Sequence, residues 1–432
     1  MDSTFSFSAA SRRAFDSPIS DLMAMALQRN DVISLAAGFV DHATLPVESV
    51  DTALRSTLGD PVEARRSLQY GTTLGDPRLR HRLIDRMIEA GEIDAARRDE
   101  MAHRTVVTNG SQQLLYLLCE ALVEPGDIVL VESPTYFVFL NVLRRFGTRT
   151  IGIPTDDGGL RIDDLEAILG RLEAEGQLPR VKMVYTISEH SNPSGLSLAP
   201  ERRPRLLEVV RRFSKAHQIL VVEDAAYRGL TFDQAEPPSV WSHDPDGQMV
   251  VHARTFSKTF SPGLKVGWGI LPASLVDPIH NLKEGHDFGT THFNQQLLDR
   301  VLADGGLDAQ IEALRRTYRT KRDAMLGALE THMRPLDGAV TWTHPHGGLY
   351  VWISVPEGLD MGPSGPIFNR CLDEGVLYVP GELAFAKEPN EPPSNHARLS
   401  YGVAGVTAIE EGIRRLATAL AECLDPVSAS RT

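Results

Sequence analysis

The chain has 432 residues, too many for one ordinary hydrophobic core and suited to a large α/β unit with a smaller companion. Its 44 Lys and Arg against 57 Asp and Glu give a formal charge of -13, which repels polyphosphate and argues against nucleic acid as a partner. With 42% apolar and 23% charged residues, dispersed Gly and Pro, and only Cys119, Cys371 and Cys423 far apart, the chain is neither disordered, collagen-like nor built on disulfides or zinc.

The N-terminal stretch, Met1 to Pro18, contains Arg12 and Arg13 but no apolar core of signal-peptide length. No apolar run reaches the roughly 18 residues of a membrane span. The expectation is a soluble, unexported protein of a reducing cytosol, with no membrane partner. The segment up to about Gly71 is expected to wrap onto a C-terminal small domain or onto a partner subunit.

Short β-branched runs then alternate with helical patterns. Strands are expected at Thr105 to Thr108, Asp127 to Glu132, Lys182 to Ile187, Ile219 to Glu223 and Met249 to Ala253. Helices are expected at Gln112 to Val123, Ile162 to Glu175 and Arg202 to His217. This alternation predicts an α/β fold with a mostly parallel central sheet and helices on both faces. A charged helix over Asp308 to His332 leads to a smaller α+β domain with a Gly347-Gly348 turn, a strand Leu349 to Ile353 and a last helix near Thr407 to Cys423. The organisation expected is an arm and part of the small domain in residues 1–70, a large domain in 71–310 and the rest of the small domain in 311–432.

In a parallel sheet, ligands lie beyond the carboxyl ends of the strands. Thr108-Asn109-Gly110-Ser111-Gln112 opens a helix with free N–H groups and a hydroxyl, which suits a phosphate; a plain cap by Ser111 is the alternative. Tyr136, after the next strand, is either a stacking plate for a planar ring or a core tyrosine. Asn192-Pro193-Ser194-Gly195 is a turn that presents an amide. Asp224 ends an apolar run, where an acid is costly to bury without a cation, unless it merely caps a helix. Lys258 lies between Phe256 and Phe260 with no acid nearby, as an amine kept for covalent chemistry does, although a snorkelling surface lysine has the same pattern. Ser257 and Lys265 flank it as further phosphate donors.

Asn192-Pro193-Ser194-Gly195, Asp224 with Tyr227, and Ser257-Lys258 with Pro262-Gly263-Leu264, in this order, resemble the fold-type I pyridoxal-phosphate (PLP) aminotransferases of class I/II, and within them the 2-aminoadipate, kynurenine and aromatic branch. The resemblance runs from about Leu35 to Leu416. It implies PLP as cofactor, bound covalently by Lys258, which also shuttles the proton from the substrate Cα. Asp224 corresponds to the aspartate that keeps the pyridine nitrogen protonated, and Tyr227 and Asn192 to the pair at the ring O3′. Tyr136 corresponds to the stacking aromatic, and Ser111, Gln112, Ser257 and Lys265 to the phosphate site, Gln112 through its backbone. Arg398 matches the grip on the substrate α-carboxylate, and Gly38 the close passage of the N-terminal segment. Tyr70 matches a tyrosine that reaches the neighbouring subunit's cofactor, which implies a homodimer. The expected activity is transfer of an amino group from an L-amino acid to a 2-oxo acid, with no metal.

The sequence departs from this family at Ser188, where Pro is usual, at Ser194, where Thr is usual, and at Lys265, where Arg is usual. Glu189, His190 and Ser191 are also unexpected. An acid and an imidazole over the cofactor would suit a PLP lyase, racemase, cyclase or oxidase; loop drift with both side chains in solvent is the plain alternative. Asp287, His286 and His292 are expected to face the substrate or the dimer partner. A sensor domain of a transcription regulator is the non-enzymatic alternative, but no basic helix-turn-helix segment precedes the pattern in this sequence.

Overall fold

In a computed structural model, residues 5–14, 31–336 and 338–424 are described. Part of the Met1 to Pro18 leader reading therefore lies outside them. An eight-stranded sheet holds, in spatial order, Thr105–Thr108, Gly267–Ile270, Val250–Thr255, Leu220–Asp224, Val181–Ile187, Ile128–Ser133, Arg149–Asp156 and Gly159–Leu160. The five from Val250–Thr255 to Arg149–Asp156 run parallel. Gly267–Ile270 is antiparallel to both its neighbours, Val250–Thr255 and Thr105–Thr108.

The sheet is buried on both faces because alternate residues of each strand enter different cores. Val129, Val131, Tyr185 and Val222 pack in one core with Leu114 and Leu118 of helix Ser111–Leu122 and with helix Gly306–Met333. Ile128, Leu130, Val184 and Val221 pack in the other with helices Pro77–Glu89, Ile162–Ala174 and Arg202–Phe213. This is the two-faced, mostly parallel α/β architecture expected from the strand–helix alternation. Helix Arg202–Phe213 stops short of His217 because Ser214 leaves helical geometry and its hydroxyl accepts the Ile219 N–H at 3.1 Å.

A second, four-stranded antiparallel sheet is formed by Thr341–Trp342, Tyr350–Ser354, His396–Ser400 and Val379–Pro380. The N-terminal segment does pack on this part of the chain. Ile33–Ser34 pairs in parallel with Val376–Leu377, and the Ser400 N–H donates to the Leu35 carbonyl at 2.7 Å. That docking carries Ala36 and Gly38 over the carboxyl ends of the large sheet's strands.

Candidate active site

A cavity of about 380 Å³ opens at those strand ends. Lys258, Asp224, Tyr227, Asn192, Tyr136, Ser111, Gln112, Ser257, Lys265, Arg398 and Gly38 all line it, although they come from separate stretches of the chain. Convergence of this kind is what the strand-end rule requires.

At one end lies an anion cup. Gly110 takes φ +72° and is the residue before helix Ser111–Leu122; Ser111 is the first helical residue rather than its cap, and no side chain caps the helix. The helix N-terminus therefore keeps its donors and its positive dipole end for a ligand. A Cβ on Gly267 would lie 2.5 Å from the Ser111 nitrogen, so glycine there is what lets the strand touch the turn. Thr255 Oγ1 donates to Ser257 Oγ at 3.0 Å and accepts the Ser257 N–H at 3.2 Å, holding Ser257 toward the cup. Lys265 follows the turn Pro262–Leu264 at φ +54°. The Gln112 side-chain oxygen is buried with no partner among the described residues.

Asp224 lies deeper, 4% exposed. It accepts from the Tyr185 hydroxyl at 2.8 Å and from the Ala226 N–H at 3.2 Å, and has no ion-pair partner among the described residues. Burial pushes its carboxyl up to about 6, with those two hydrogen bonds holding it down. A buried carboxyl without a cation can take up a cationic group of a ligand.

Lys258 Nζ donates to the Gly38 carbonyl at 2.7 Å. The Tyr227 hydroxyl donates to Tyr350 Oη at 3.2 Å. Burial opposes ionisation of Tyr350, but the charges of Lys258 and Arg398 outweigh it and hold that phenol below its ordinary value. Arg398 is buried, its guanidinium 4.4 Å from the Tyr350 ring centroid. Nη1 donates to Asn192 Oδ1 at 2.9 Å and Nη2 to the Ala36 carbonyl at 2.6 Å, while Nε is buried without a partner among the described residues. A guanidinium fixed by two bonds with a donor to spare is a ready carboxylate site.

The family profile described as "Aminotransferase class I and II" matches residues 30–420. The chain belongs to that family. It is 36% identical over 398 residues to an aromatic-amino-acid aminotransferase of Thermococcus litoralis, covering 92% of this chain and 89% of that one. The kynurenine aminotransferase of Pyrococcus horikoshii, solved with PMP, superposes with a TM-score of 0.88 at 32% identity, over 97% of this chain and 98% of that one. The α-aminoadipate aminotransferase of Thermus thermophilus, solved with a phosphopyridoxyl-leucine adduct, does so with a TM-score of 0.82 at 31% identity, over 97% and 98%. The protein is a PLP-dependent aminotransferase, and the cup, the unpaired buried Asp224 and the Lys258 amine fit that cofactor.

The unexpected loop of this aminotransferase answers neither expectation set by its sequence. Glu189 is 1% exposed and His190 2%, so they do not lie in solvent, and neither lines the cofactor cavity. Glu189 Oε1 accepts from Arg203 Nη1 at 2.8 Å and Arg228 Nη1 at 2.9 Å. Burial opposes its charge, but the two guanidinium groups outweigh that and hold the carboxyl below its ordinary value. His190 packs against Gly347 and Gly348 and pairs with Thr231 Oγ1 at 2.9 Å; burial drives it down to about 4, so it is neutral. His190 braces the junction with the Gly347-Gly348 turn and Glu189 ties the loop to Arg203 and Arg228, instead of the two forming a second proton-transfer system at the cofactor cavity.

Asp287 also turns inward. Its Oδ2 accepts from Asn109, Gln113 and Lys283, at 2.7, 2.7 and 2.8 Å, and so ties the turn that opens helix Ser111–Leu122 to helix Ala273–Asp287. His286 pairs with Glu120 at 2.7 Å, and His292 lies beside Gly71. Tyr70, expected to reach a neighbouring subunit's cofactor, does not line the cavity of its own chain: it is 82% exposed and edge-on to Phe288. Sequence reasoning assigned no role to Tyr185, Tyr350, Thr255 or Gly267, which lie against Asp224, Tyr227, Ser257 and Ser111, nor to Glu132, which bonds Ser191 next to Asn192.

Proposed function

We propose that Lys258, Asp224, Asn192, Tyr227 and Arg398 carry the transamination and that the amino donor bears an apolar or aromatic side chain. When bound, PLP supplies the electron sink for the pair left at the substrate Cα and carries the amino group to the acceptor. Ser111, Ser257, Lys265 and the Gln112 backbone hold the phosphate, and Tyr136 packs on the ring. Asp224, anchored by Tyr185, keeps the ring nitrogen protonated, while Tyr227 and Asn192 hold the ring oxygen. Lys258 Nζ, beside Gly38, is the base that would take the proton from the substrate Cα and hold it. Arg398, oriented by Asn192 and Ala36, fixes the α-carboxylate so that the Cα proton faces that amine.

The single observation that carries the reading is the convergence of Lys258, Asp224 and Arg398 on one cavity. Its remaining wall includes Ala36, Phe39, Phe137, Val138 and Val379, and its lining cations are Lys258, Lys265 and Arg398, each already employed. That leaves the side-chain end apolar among the described residues, in keeping with the aromatic preference in the Thermococcus relative's name. Lys258→Ala should abolish turnover while circular dichroism stays native; retained turnover would remove the mechanism.

The same reading takes the active unit as a cytoplasmic homodimer in which Tyr70 reaches the partner's cofactor, with residues 71–310 as the large domain. The three cysteines are free thiols, and exposed Leu68, Tyr70 and Phe288 form an apolar face that borders Asn109 of the phosphate turn. Mixing the inactive variants Lys258→Ala and Tyr70→Ala should restore activity, because one site of the mixed dimer then has both residues. No restoration would refute the shared site.

A further inference from the structure

Glu132 is the penultimate residue of strand Ile128–Ser133 and is 3% exposed, outside the cavity lining. Its Oε2 accepts from the Thr186 hydroxyl at 2.7 Å and the Ile187 N–H at 3.1 Å. Its Oε1 accepts from the Ser191 hydroxyl at 2.7 Å. One buried carboxyl thus ties the end of strand Val181–Ile187 to the loop that follows, and Ser191 is the residue before Asn192. Asn192 in turn accepts from Arg398 at 2.9 Å.

We propose that Glu132 is a positioning residue for transamination: through Ser191 it fixes the Asn192 backbone, and through Asn192 it sets the orientation of the Arg398 guanidinium that receives the substrate carboxylate. The inference rests on the role assigned above to Arg398. Four observations support it. Ser191 is 5% exposed, and Glu132 is the one side-chain partner its hydroxyl has among the described residues. Asn192 precedes Pro193, whose missing N–H leaves the turn fewer backbone bonds of its own. The turn's other anchors among the described residues flank Asn192 rather than hold it: Ser191 N–H donates to the Leu196 carbonyl at 2.7 Å, Gly195 N–H to the Ser191 carbonyl at 2.6 Å, Leu196 N–H to Ser194 Oγ at 3.2 Å and the Thr343 hydroxyl to the Ser194 carbonyl at 2.8 Å. Burial pushes the Glu132 carboxyl up to about 7, with its three donors pulling it down and Asp224 adding to the rise, so hydrogen bonding rather than full charge is what this acid offers near neutrality. A buried acid is expensive to keep unless its bonds matter.

The test uses the holoenzyme with phenylalanine as donor. Ser191→Ala removes only the loop anchor and should raise the phenylalanine KM about five- to tenfold, the equivalent of one lost buried hydrogen bond, with kcat within about twofold. Ser191→Thr and Glu132→Gln, which keep a hydroxyl and an amide for this bond, should hold KM within about twofold of the parent. In an Arg398→Lys background, whose bidentate grip is already lost, Ser191→Ala should add nothing further to KM. An unchanged KM in Ser191→Ala, or a full additional rise on top of Arg398→Lys, overturns the inference and leaves the Arg398 assignment standing. An unchanged KM in Arg398→Lys itself overturns that assignment, and this inference with it.

Discussion

Replacing Glu189 by alanine decides whether the unusual loop acid is a brace or a reactant. Its carboxylate lies 2.8 Å from Arg203 and 2.9 Å from Arg228, all three side chains at most 7% exposed. Without it, Arg203 keeps, among the described residues, only the carbonyls of Ser188, Leu198 and Pro238, whereas Arg228 keeps Glu92 at 3.2 Å. Breaking a buried ion pair by removing one partner costs about 3–5 kcal/mol. Because Arg228 retains a carboxylate, the loss should fall near the lower bound, about 3 kcal/mol. The assay is denaturant unfolding of the holoenzyme, paired with kcat/KM under conditions where the variant is folded. The expected result is reduced stability with kcat/KM within a few-fold of the parent, and partial recovery of stability in Glu189→Gln. A fall in kcat/KM of about a hundredfold with unfolding unchanged would refute the reasoning and favour a lyase, cyclase or oxidase reaction.

Two further perturbations follow from the same geometry. His190 is held down to about 4 against an unfolded value near 6.5, so its contribution to stability is complete above that unfolded value and is lost as pH falls from there toward 4, where the unfolded chain binds the proton first. Acid titration of stability should therefore be shallower across that window in His190→Asn, a residue that also tolerates the positive φ; parallel curves would contradict the burial argument. Gly267→Ala places a methyl 2.5 Å from the Ser111 nitrogen and should weaken PLP binding to the apoprotein by about tenfold or more, while affinity for phosphate-free pyridoxal changes far less. Equal losses for both ligands would mean that the turn is not the phosphate site.

Much of this site was legible because parallel strands deliver their ligand residues at their carboxyl ends, where Asp224, Asn192 and Lys258 interrupt apolar patterns. What periodicity does not encode is which distant segments meet. Tyr350 reaches Tyr227 across 123 residues of sequence, and Tyr185 reads as an ordinary strand residue until Asp224 lies beside it. The antiparallel strand Gly267–Ile270 was hidden because Gly-Trp-Gly-Ile has little β-branched character, its glycines being needed for close approach to Gly110 and Leu114. Glu189 and His190 carried a chemical signature without the chemistry. Their partners Arg203, Arg228 and Thr231 lie 14, 39 and 41 residues away, and a loop acid reads the same whether it is caged or free.

The central claim is most directly tested by the visible spectrum of the purified holoenzyme during a half-reaction. Phenylalanine added without any oxo acid should bleach the cofactor's visible band, and a 2-oxo acid added afterwards should restore it, with neither step occurring in Lys258→Ala. A band that does not bleach with any amino acid, or one whose bleaching releases ammonia or consumes oxygen, would contradict amino-group transfer at this site.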